Sequence, residues 1–255
     1  MLEQIGSIYR DSWRAAWLFP VLFLIPALVE FAQHVVEMKA GMYDSLAGAK
    51  AVIDHQMQIA LTFAVSLASA LPGYWFVRFL AFRDAARATK IEQPAFALWL
   101  VVMIIVTTLH ATRLFAPSLG TVLGLTGNSD LAARFLAALF WLLLTIYMTA
   151  WTVAWPLGNR AIGPVQSLKM MIGSFWRTIG YMLGSTLPLV ALQIGLTTIA
   201  TKFTSGLLDG FVLGLESVIA GLLACCAAGG AFLAARHAAD RKGLSLTGEA
   251  LKTPF

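Results

Sequence analysis

Long apolar stretches, separated by short polar connections, make up most of this sequence. Six of them are long enough for an α-helix to cross the hydrocarbon core of a bilayer, which takes about 20 apolar residues. They cover residues 15–36, 57–80, 95–116, 131–156, 178–201 and 211–235. The stretches are continuous rather than alternating, which argues against membrane strands. The pattern predicts an all-α polytopic membrane protein: one transmembrane domain over residues 1–255, built as a bundle of six helices.

Two Trp-Arg pairs and three prolines punctuate these stretches. Trp13–Arg14 and Trp176–Arg177 each precede a span, and each is followed by a proline about three helical turns later. The internal prolines are Pro26, Pro72 and Pro188. Membrane helices tolerate proline kinks where neighbours satisfy the freed carbonyl groups. The recurrence predicts a parallel repeat of three helical hairpins.

Composition agrees with a membrane protein. Apolar residues make up 59% of the chain and charged residues only 12%, whereas soluble domains carry about 25% charged residues. Mean hydropathy is +0.78. The net charge of +5 does not indicate nucleic-acid binding, because the basic residues stand at the ends of apolar segments.

The distribution of Lys and Arg predicts the orientation. If the N-terminus, the 2–3 and 4–5 connections and the C-terminus share one side, that side holds 13 of the 18 cations: Arg10, Arg14, Arg78, Arg83, Arg87, Lys90, Arg160, Lys169, Arg177, Arg236, Arg241, Lys242 and Lys252. The other side holds 5: Lys39, Lys50, Arg113, Arg134 and Lys202. The positive-inside rule therefore predicts that both termini are cytoplasmic, in a bacterial inner membrane.

Basic and aromatic residues at this cytoplasmic side are the predicted lipid interface. They are Trp13, Arg14, Arg78, Arg83, Arg87, Lys169, Trp176 and Arg177. Trp sits at headgroup level and Arg reaches phosphates, so anionic lipids are the expected partners. A membrane-protein partner or a second copy of the chain is an open alternative. For the Arg and Lys residues near position 83, topology determination alone explains their presence equally well.

The segment 163–177 has its own periodicity. Apolar residues from Val165 to Trp176 recur at spacings of three or four, while Gln166 and Lys169 lie largely on the other side. This predicts a short amphipathic helix on the inner leaflet before the fifth span. An amphipathic linker packed on protein is the alternative.

The same segment carries a resemblance. The residues concerned are Ser167, Leu168, Lys169, Phe175, Trp176 and Arg177. They resemble the basic segment before an apolar helix in the membrane domain attached to some bacterial glycerophosphodiester phosphodiesterases, and in YciC-type inner-membrane proteins. Met170 and Met171 depart from it, since a Ser-Trp is usual there. The resemblance implies a multi-helix inner-membrane protein and no particular activity, because this sequence contains no soluble phosphodiesterase domain.

Polar residues inside the spans are the candidate functional residues, because ionisable groups in a bilayer are costly. They are Glu30, His34, His110, Arg113, Arg134, Gln193 and Glu216. With the predicted orientation, all of them fall in the outer third of the bilayer. They could line an outward-open polar cavity serving an ion or proton pathway. Alternatively, Glu30 and Glu216 pair with Arg113 and Arg134, or these side chains reach the outer headgroups.

No cofactor is predicted. His34 and His110 are the one histidine pair at comparable depth, and no zinc, haem or phosphate-binding motif is present. Gly221, Cys225 and Gly229 form a small-residue stripe of the kind that lets helices approach closely. We therefore expect a non-enzymatic membrane component that engages lipids or partner proteins in envelope homeostasis. A small transporter or channel using the outer polar cluster is the first alternative, and an intramembrane enzyme acting on lipid is the second.

Overall fold

The computed structural model describes residues 1–43, 48, 51–52, 55–200 and 206–247. Within these residues the regular structure is helical, with no strand. The helices are α1 (Leu2–Leu18), α2 (Pro20–Lys39), α3 (Gln56–Ala70), α4 (Gly73–Phe82), α5 (Ala85–Thr89), α6 (Gln93–Phe115), α7 (Leu119–Val122), α8 (Asn128–Ala154), α9 (Pro164–Met171), α10 (Phe175–Ala200) and α11 (Gly206–Arg241). The all-α prediction is confirmed.

Six helical segments are long and apolar enough to cross a membrane. They are Pro20–Lys39, Gln56–Phe82, Gln93–Phe115, Asn128–Ala154, Phe175–Ala200 and Asp209–Arg241. Each overlaps one of the six predicted spans. The chain is therefore a multi-pass integral membrane protein.

The described residues form two compact units. Unit 1 contains Met1–Lys90 and Gly180–Leu233, and unit 2 contains Ile91–Ile179 and Ala234–Phe255. The prediction of a single transmembrane domain remains a prediction.

The first helix, α1, differs from the sequence-based expectation. The predicted first span began at residue 15, but a separate amphipathic helix ends at Leu18 and the span starts at Pro20. Phe19 breaks the helix with φ −131° and ψ 57°, because a residue before proline is disfavoured in the α conformation. Pro20 then suits the first helical position of α2, where its missing N–H costs nothing.

One face of α1 packs inside unit 1. Ile5, Ile8, Ser12 and Ala15 are buried at helical spacing. The Tyr9 hydroxyl donates to the carbonyl oxygen of Gly184 in α10 at 2.8 Å. The opposite face leaves Arg10, Trp13, Arg14 and Trp17 exposed. Trp13 and Arg14, predicted to mark the start of a span, thus belong to a helix of their own.

The three internal prolines have different effects. The helices α2 and α10 continue through Pro26 and Pro188. The second span is interrupted instead, with α3 ending at Ala70 and α4 beginning at Gly73. Pro72 has no N–H to donate to the carbonyl of Ala68, and the N–H of Leu71 bonds that carbonyl at 3.3 Å.

In unit 2, α9 is shorter than the predicted amphipathic helix over 163–177. It ends at Met171, and Gly173 adopts φ +83°, a left-handed conformation that commonly terminates helices. Phe175, Trp176 and Arg177 therefore begin α10. Buried Ser167 fixes α9 to α8, because its hydroxyl donates to the Tyr147 carbonyl at 2.7 Å and accepts from the Trp151 N–H at 3.0 Å.

Candidate functional site

A cluster of polar side chains in unit 1 forms on the last turns of α2. Glu30, Gln33, His34 and Glu37 recur at spacings of three or four, which places them on one face of a helix. Because α2 continues to Lys39, Glu37 is part of this face, one residue beyond the predicted end of the span. We call these residues, together with Tyr43, Gln58, Thr197 and Glu216, the Glu/His cluster.

Glu37 is the most completely hydrogen-bonded member of the cluster. Its Oε1 accepts from the Gln33 amide at 2.7 Å and from the Gln58 amide. Its Oε2 accepts from the Tyr43 hydroxyl at 2.5 Å and lies 3.0 Å from Nδ1 of His34. Only 4% of its side chain is exposed. Four neighbours thus compensate one buried carboxylate.

Tyr43 follows the end of α2 and closes this part of the cluster. Burial, and then the hydrogen bond to Glu37, raise the pKa of Tyr43 above its ordinary value. The phenol therefore keeps its proton and acts as a donor to Glu37. Its oxygen also lies 2.9 Å from Nδ1 of His34.

The second part of the cluster surrounds the other ring nitrogen of His34. Nε2 lies 3.9 Å from Oε1 of Glu30 and 3.9 Å from Oε2 of Glu216. The other oxygen of Glu216 accepts from the Thr197 hydroxyl at 2.8 Å. In the part of the chain that the structure describes, His34 Nε2 and Glu216 Oε2 are buried and have no hydrogen-bond partner. These two polar atoms lie where α2 meets α11.

The cluster lies beside apolar residues. Ala200, Val212 and Leu213 are buried, and Leu196, Met38 and Tyr43 pack against them. In such surroundings uncompensated charge is costly, and electrostatic interactions are stronger than in water. Within the described residues, the ion pairs of Glu30, Glu37 and Glu216 all involve His34 rather than Lys or Arg.

A metal ion does not fit this arrangement. Among the residues that the structure describes, no group of three or more His, Cys, Asp or Glu side chains is placed to hold one. Both oxygens of Glu37 already accept hydrogen bonds from neighbouring side chains.

The structure brings together three of the seven predicted pathway residues, namely Glu30, His34 and Glu216. Gln193 of α10 lies one turn before Thr197, whose hydroxyl also donates to the Gln193 carbonyl at 3.0 Å. His110, Arg113 and Arg134 belong to unit 2. There Arg134 pairs with Asp130 at 2.8 Å, one turn earlier on α8. The sequence-based alternative pairs Arg134 with Glu30 or Glu216 instead.

Sequence reasoning missed Gln33, Glu37, Tyr43, Gln58 and Thr197. The helical spacing from Glu30 to Glu37 was the available signal for two of them. Tyr43, Gln58 and Thr197 are polar residues without a motif, and only the packing of α2 against neighbouring segments identifies them.

The predicted lipid-interface residues divide into exposed and buried. Trp13, Arg14, Arg83, Arg87, Lys169, Trp176 and Arg177 are exposed. Arg78 is the correction, because its side chain is fully buried. Its guanidinium lies 5.2 Å from the Tyr74 ring centroid and 5.1 Å from that of Phe82, one turn away on either side, and so it cannot reach headgroups.

The small-residue stripe on α11 lies against α1 and α2. A Cβ at Gly221 would stand 2.9 Å from the carbonyl oxygen of Phe23, and one at Gly229 would stand 2.6 Å from the Ile8 side chain. Cys225 is buried between these two glycines along the helix. Close helix approach in unit 1 depends on these positions.

Comparison with known proteins finds no matching family model, no matching characterised protein and no matching solved structure. The resemblance carried by residues 167–177 therefore remains a prediction. The function is inferred below from the geometry of the Glu/His cluster.

Proposed function

We propose that this integral membrane protein is a small transporter or channel that conducts protons, or couples a solute to them, through the Glu/His cluster of unit 1. The observation that supports this most is the Nε2 side of His34, where the carboxylates of buried Glu216 and of partly buried Glu30 each lie 3.9 Å away. Ionisable groups within a membrane span are costly, and where they occur they mark ion pathways and proton relays.

The composition of the cluster favours transport over a purely structural role. Both carboxylate oxygens of Glu37 accept hydrogen bonds from neighbouring side chains, as expected of a structural anchor. Among the described residues, the carboxylates of Glu30 and Glu216 are not compensated in this way, although only 17% and 7% of their side chains are exposed. The ion-pair partner of both carboxylates in the described part of the chain is His34 rather than an Arg or Lys. Histidine changes its charge near neutral pH, which suits a site that must alternately bind and release a proton.

Orientation and location remain part of the proposal. The Lys and Arg distribution favours cytoplasmic termini in a bacterial inner membrane. With that orientation, the end of α2 and the start of α11 lie on the outer side of the bilayer. The Glu/His cluster would then exchange with the external solution.

Replacing Glu216 by glutamine tests the proposed function. In proteoliposomes containing a pH-sensitive dye, we expect Glu216→Gln to lower proton flux by about tenfold or more, because an amide cannot take up and release the proton that a carboxylate transfers. Glu3→Gln is the matched control, since Glu3 is exposed in the first turn of α1 and its flux should equal that of the unmodified protein. Equal flux in both variants, or none from the unmodified protein, contradicts the proposal.

A non-enzymatic component that engages lipids or partner proteins is the second candidate function. Two exposed faces favour it. On α1, Trp13 and Trp17 are 53% and 75% exposed beside Arg10 and Arg14. In unit 2, exposed Lys169 shares α9 with the exposed apolar residues Val165 and Leu168. Cations beside exposed tryptophans are typical of an interface with anionic headgroups.

The double variant Arg10→Ala/Arg14→Ala tests this candidate. Each cation near an anionic surface contributes about 1 kcal/mol. Removing two of them should therefore lower the affinity for phosphatidylglycerol about thirtyfold, measured as lipid retained on the protein by native mass spectrometry after release from mixed nanodiscs. Arg160→Ala, an exposed arginine of unit 2, is the control and should retain it. Unchanged retention in the double variant argues against lipid recognition by α1.

A further inference from the structure

The protonation of His34 can be assigned from its neighbours on one side of the ring. Nδ1 lies 3.0 Å from Oε2 of Glu37 and 2.9 Å from the hydroxyl oxygen of Tyr43. The Tyr43 hydroxyl donates its own hydrogen to Glu37. Both neighbours therefore present acceptor oxygens to Nδ1, so Nδ1 must carry a hydrogen. Glu37 and Tyr43 thus fix the ring orientation and the tautomer.

Fixing Nδ1 as a donor decides what the opposite nitrogen can be. In the neutral ring Nε2 bears only a lone pair, which here faces carboxylate oxygens of Glu30 and Glu216 at 3.9 Å each. Three acceptors would then face one another in a buried space, and no hydrogen would lie between them. These acceptor atoms repel one another. One additional proton, held either by Nε2 or by a carboxyl group, supplies a donor and makes the interaction between His34 and the carboxylates attractive.

The geometry points to a proton-binding site in which His34 Nε2, Glu30 and Glu216 share one exchangeable proton, with Glu37 and Tyr43 as positioning residues. This rests on the proposed function and deepens it by naming the groups that hold the proton. The proton comes from water and returns to water, so occupancy changes the charge of the site by one unit and no other reactant is needed. Within the described part of the chain, the titratable groups facing His34 are Glu30 and Glu37 on α2, Tyr43 after it, and Glu216 on α11.

The two parts of the cluster have different roles. Glu37 is hydrogen-bonded on both oxygens and remains a fixed anion. Glu216 has one oxygen bound to Thr197, and its other oxygen has no partner within the described residues. Glu30 and Glu216 are the two carboxylates that face Nε2 of His34. The exchangeable proton is therefore held among these three groups and not by Glu37.

Labelling with dicyclohexylcarbodiimide tests this site without any transport measurement. A protonated carboxyl in apolar surroundings adds to the carbodiimide: its oxygen bonds the central carbon, its proton moves to nitrogen, and the adduct rearranges to a stable N-acylurea. The full-length protein in nanodiscs is labelled across a pH series and mapped by mass spectrometry. We expect label on Glu30 or Glu216, decreasing as pH rises, and none on Glu37, which is an internal control in each sample.

A histidine variant makes the test specific to the shared proton. In His34→Gln the carboxyl groups no longer compete with a base, so labelling should persist to a higher pH than in the unmodified protein. Label on Glu37, no label on Glu30 or Glu216 at any pH, or protection by Na⁺ at constant pH overturns the inference. Labelling without proton flux would overturn the transport proposal alone, and flux without labelling would overturn the proton site alone.

Discussion

Glu37→Ala should lower the free energy of unfolding by about 3–5 kcal/mol, because removing one partner from a buried charged network leaves the others uncompensated. Gln33, Gln58, Tyr43 and His34 all direct polar atoms at this carboxylate. Without it, several donors would remain buried beside an apolar surface. Thermal unfolding in detergent, followed by circular dichroism, measures the loss.

Glu37→Gln and Glu3→Ala are the comparison variants for this prediction. Glutamine keeps one acceptor oxygen but places an amide NH2 group against existing donors. The free energy of unfolding of Glu37→Gln should therefore lie between the values of the wild type and Glu37→Ala. Glu3 is exposed, and its truncation should leave the unfolding temperature unchanged. If Glu37→Ala unfolds at the wild-type temperature, Glu37 is not the anchor of the cluster.

Gly221→Ala is the second change for which we expect a large effect. The added Cβ would stand 2.9 Å from the Phe23 carbonyl oxygen and 3.0 Å from a carbon of the Phe23 ring. The carbonyl is backbone and cannot rotate away, so α2 and α11 must separate. Overpacking of this kind costs about 1–3 kcal/mol, measured again by thermal unfolding.

Gly195→Ala is the matched control, because it makes the same substitution inside a helix. Nothing lies within 4 Å of a Cβ added at Gly195, and alanine is the better helix former. This variant should be as stable as the unmodified protein or slightly more so. If both substitutions have equal effects, close approach at Gly221 does not contribute to stability.

The spans could be predicted from the sequence because membrane insertion depends on length and hydropathy, and both are local properties. Their ends depend on other effects. The break at Phe19 comes from the proline after it, and the interruption at Pro72 comes from a missing N–H. Pro26 and Pro188 are chemically equivalent residues whose helices continue. The tertiary surroundings of each proline decide whether the helix continues, and a hydropathy profile contains no information about those surroundings.

The candidate site was predictable to the extent that charge in an apolar stretch stands out. Glu30, His34 and Glu216 were identified in this way, and the structure brings them together. Glu37 was not identified because the apolar stretch in the sequence ends at residue 36, whereas α2 continues to Lys39. Arg78 was assigned to the lipid interface with its basic neighbours, but its side chain is fully buried beside the rings of Tyr74 and Phe82.

The contacts of α1 constrain how the chain is assembled during synthesis. Ser12 accepts a hydrogen bond from Cys226, 214 residues later, and Tyr9 and Gln4 bond partners in α10 that are 175 and 177 residues away. These three hydrogen bonds of α1 can form only after α10 and α11 have left the ribosome. Completion of the α1 contacts is thus a late event in biogenesis, and a ribosome-bound chain stalled before α10 should leave more of this helix accessible to chaperones or proteases.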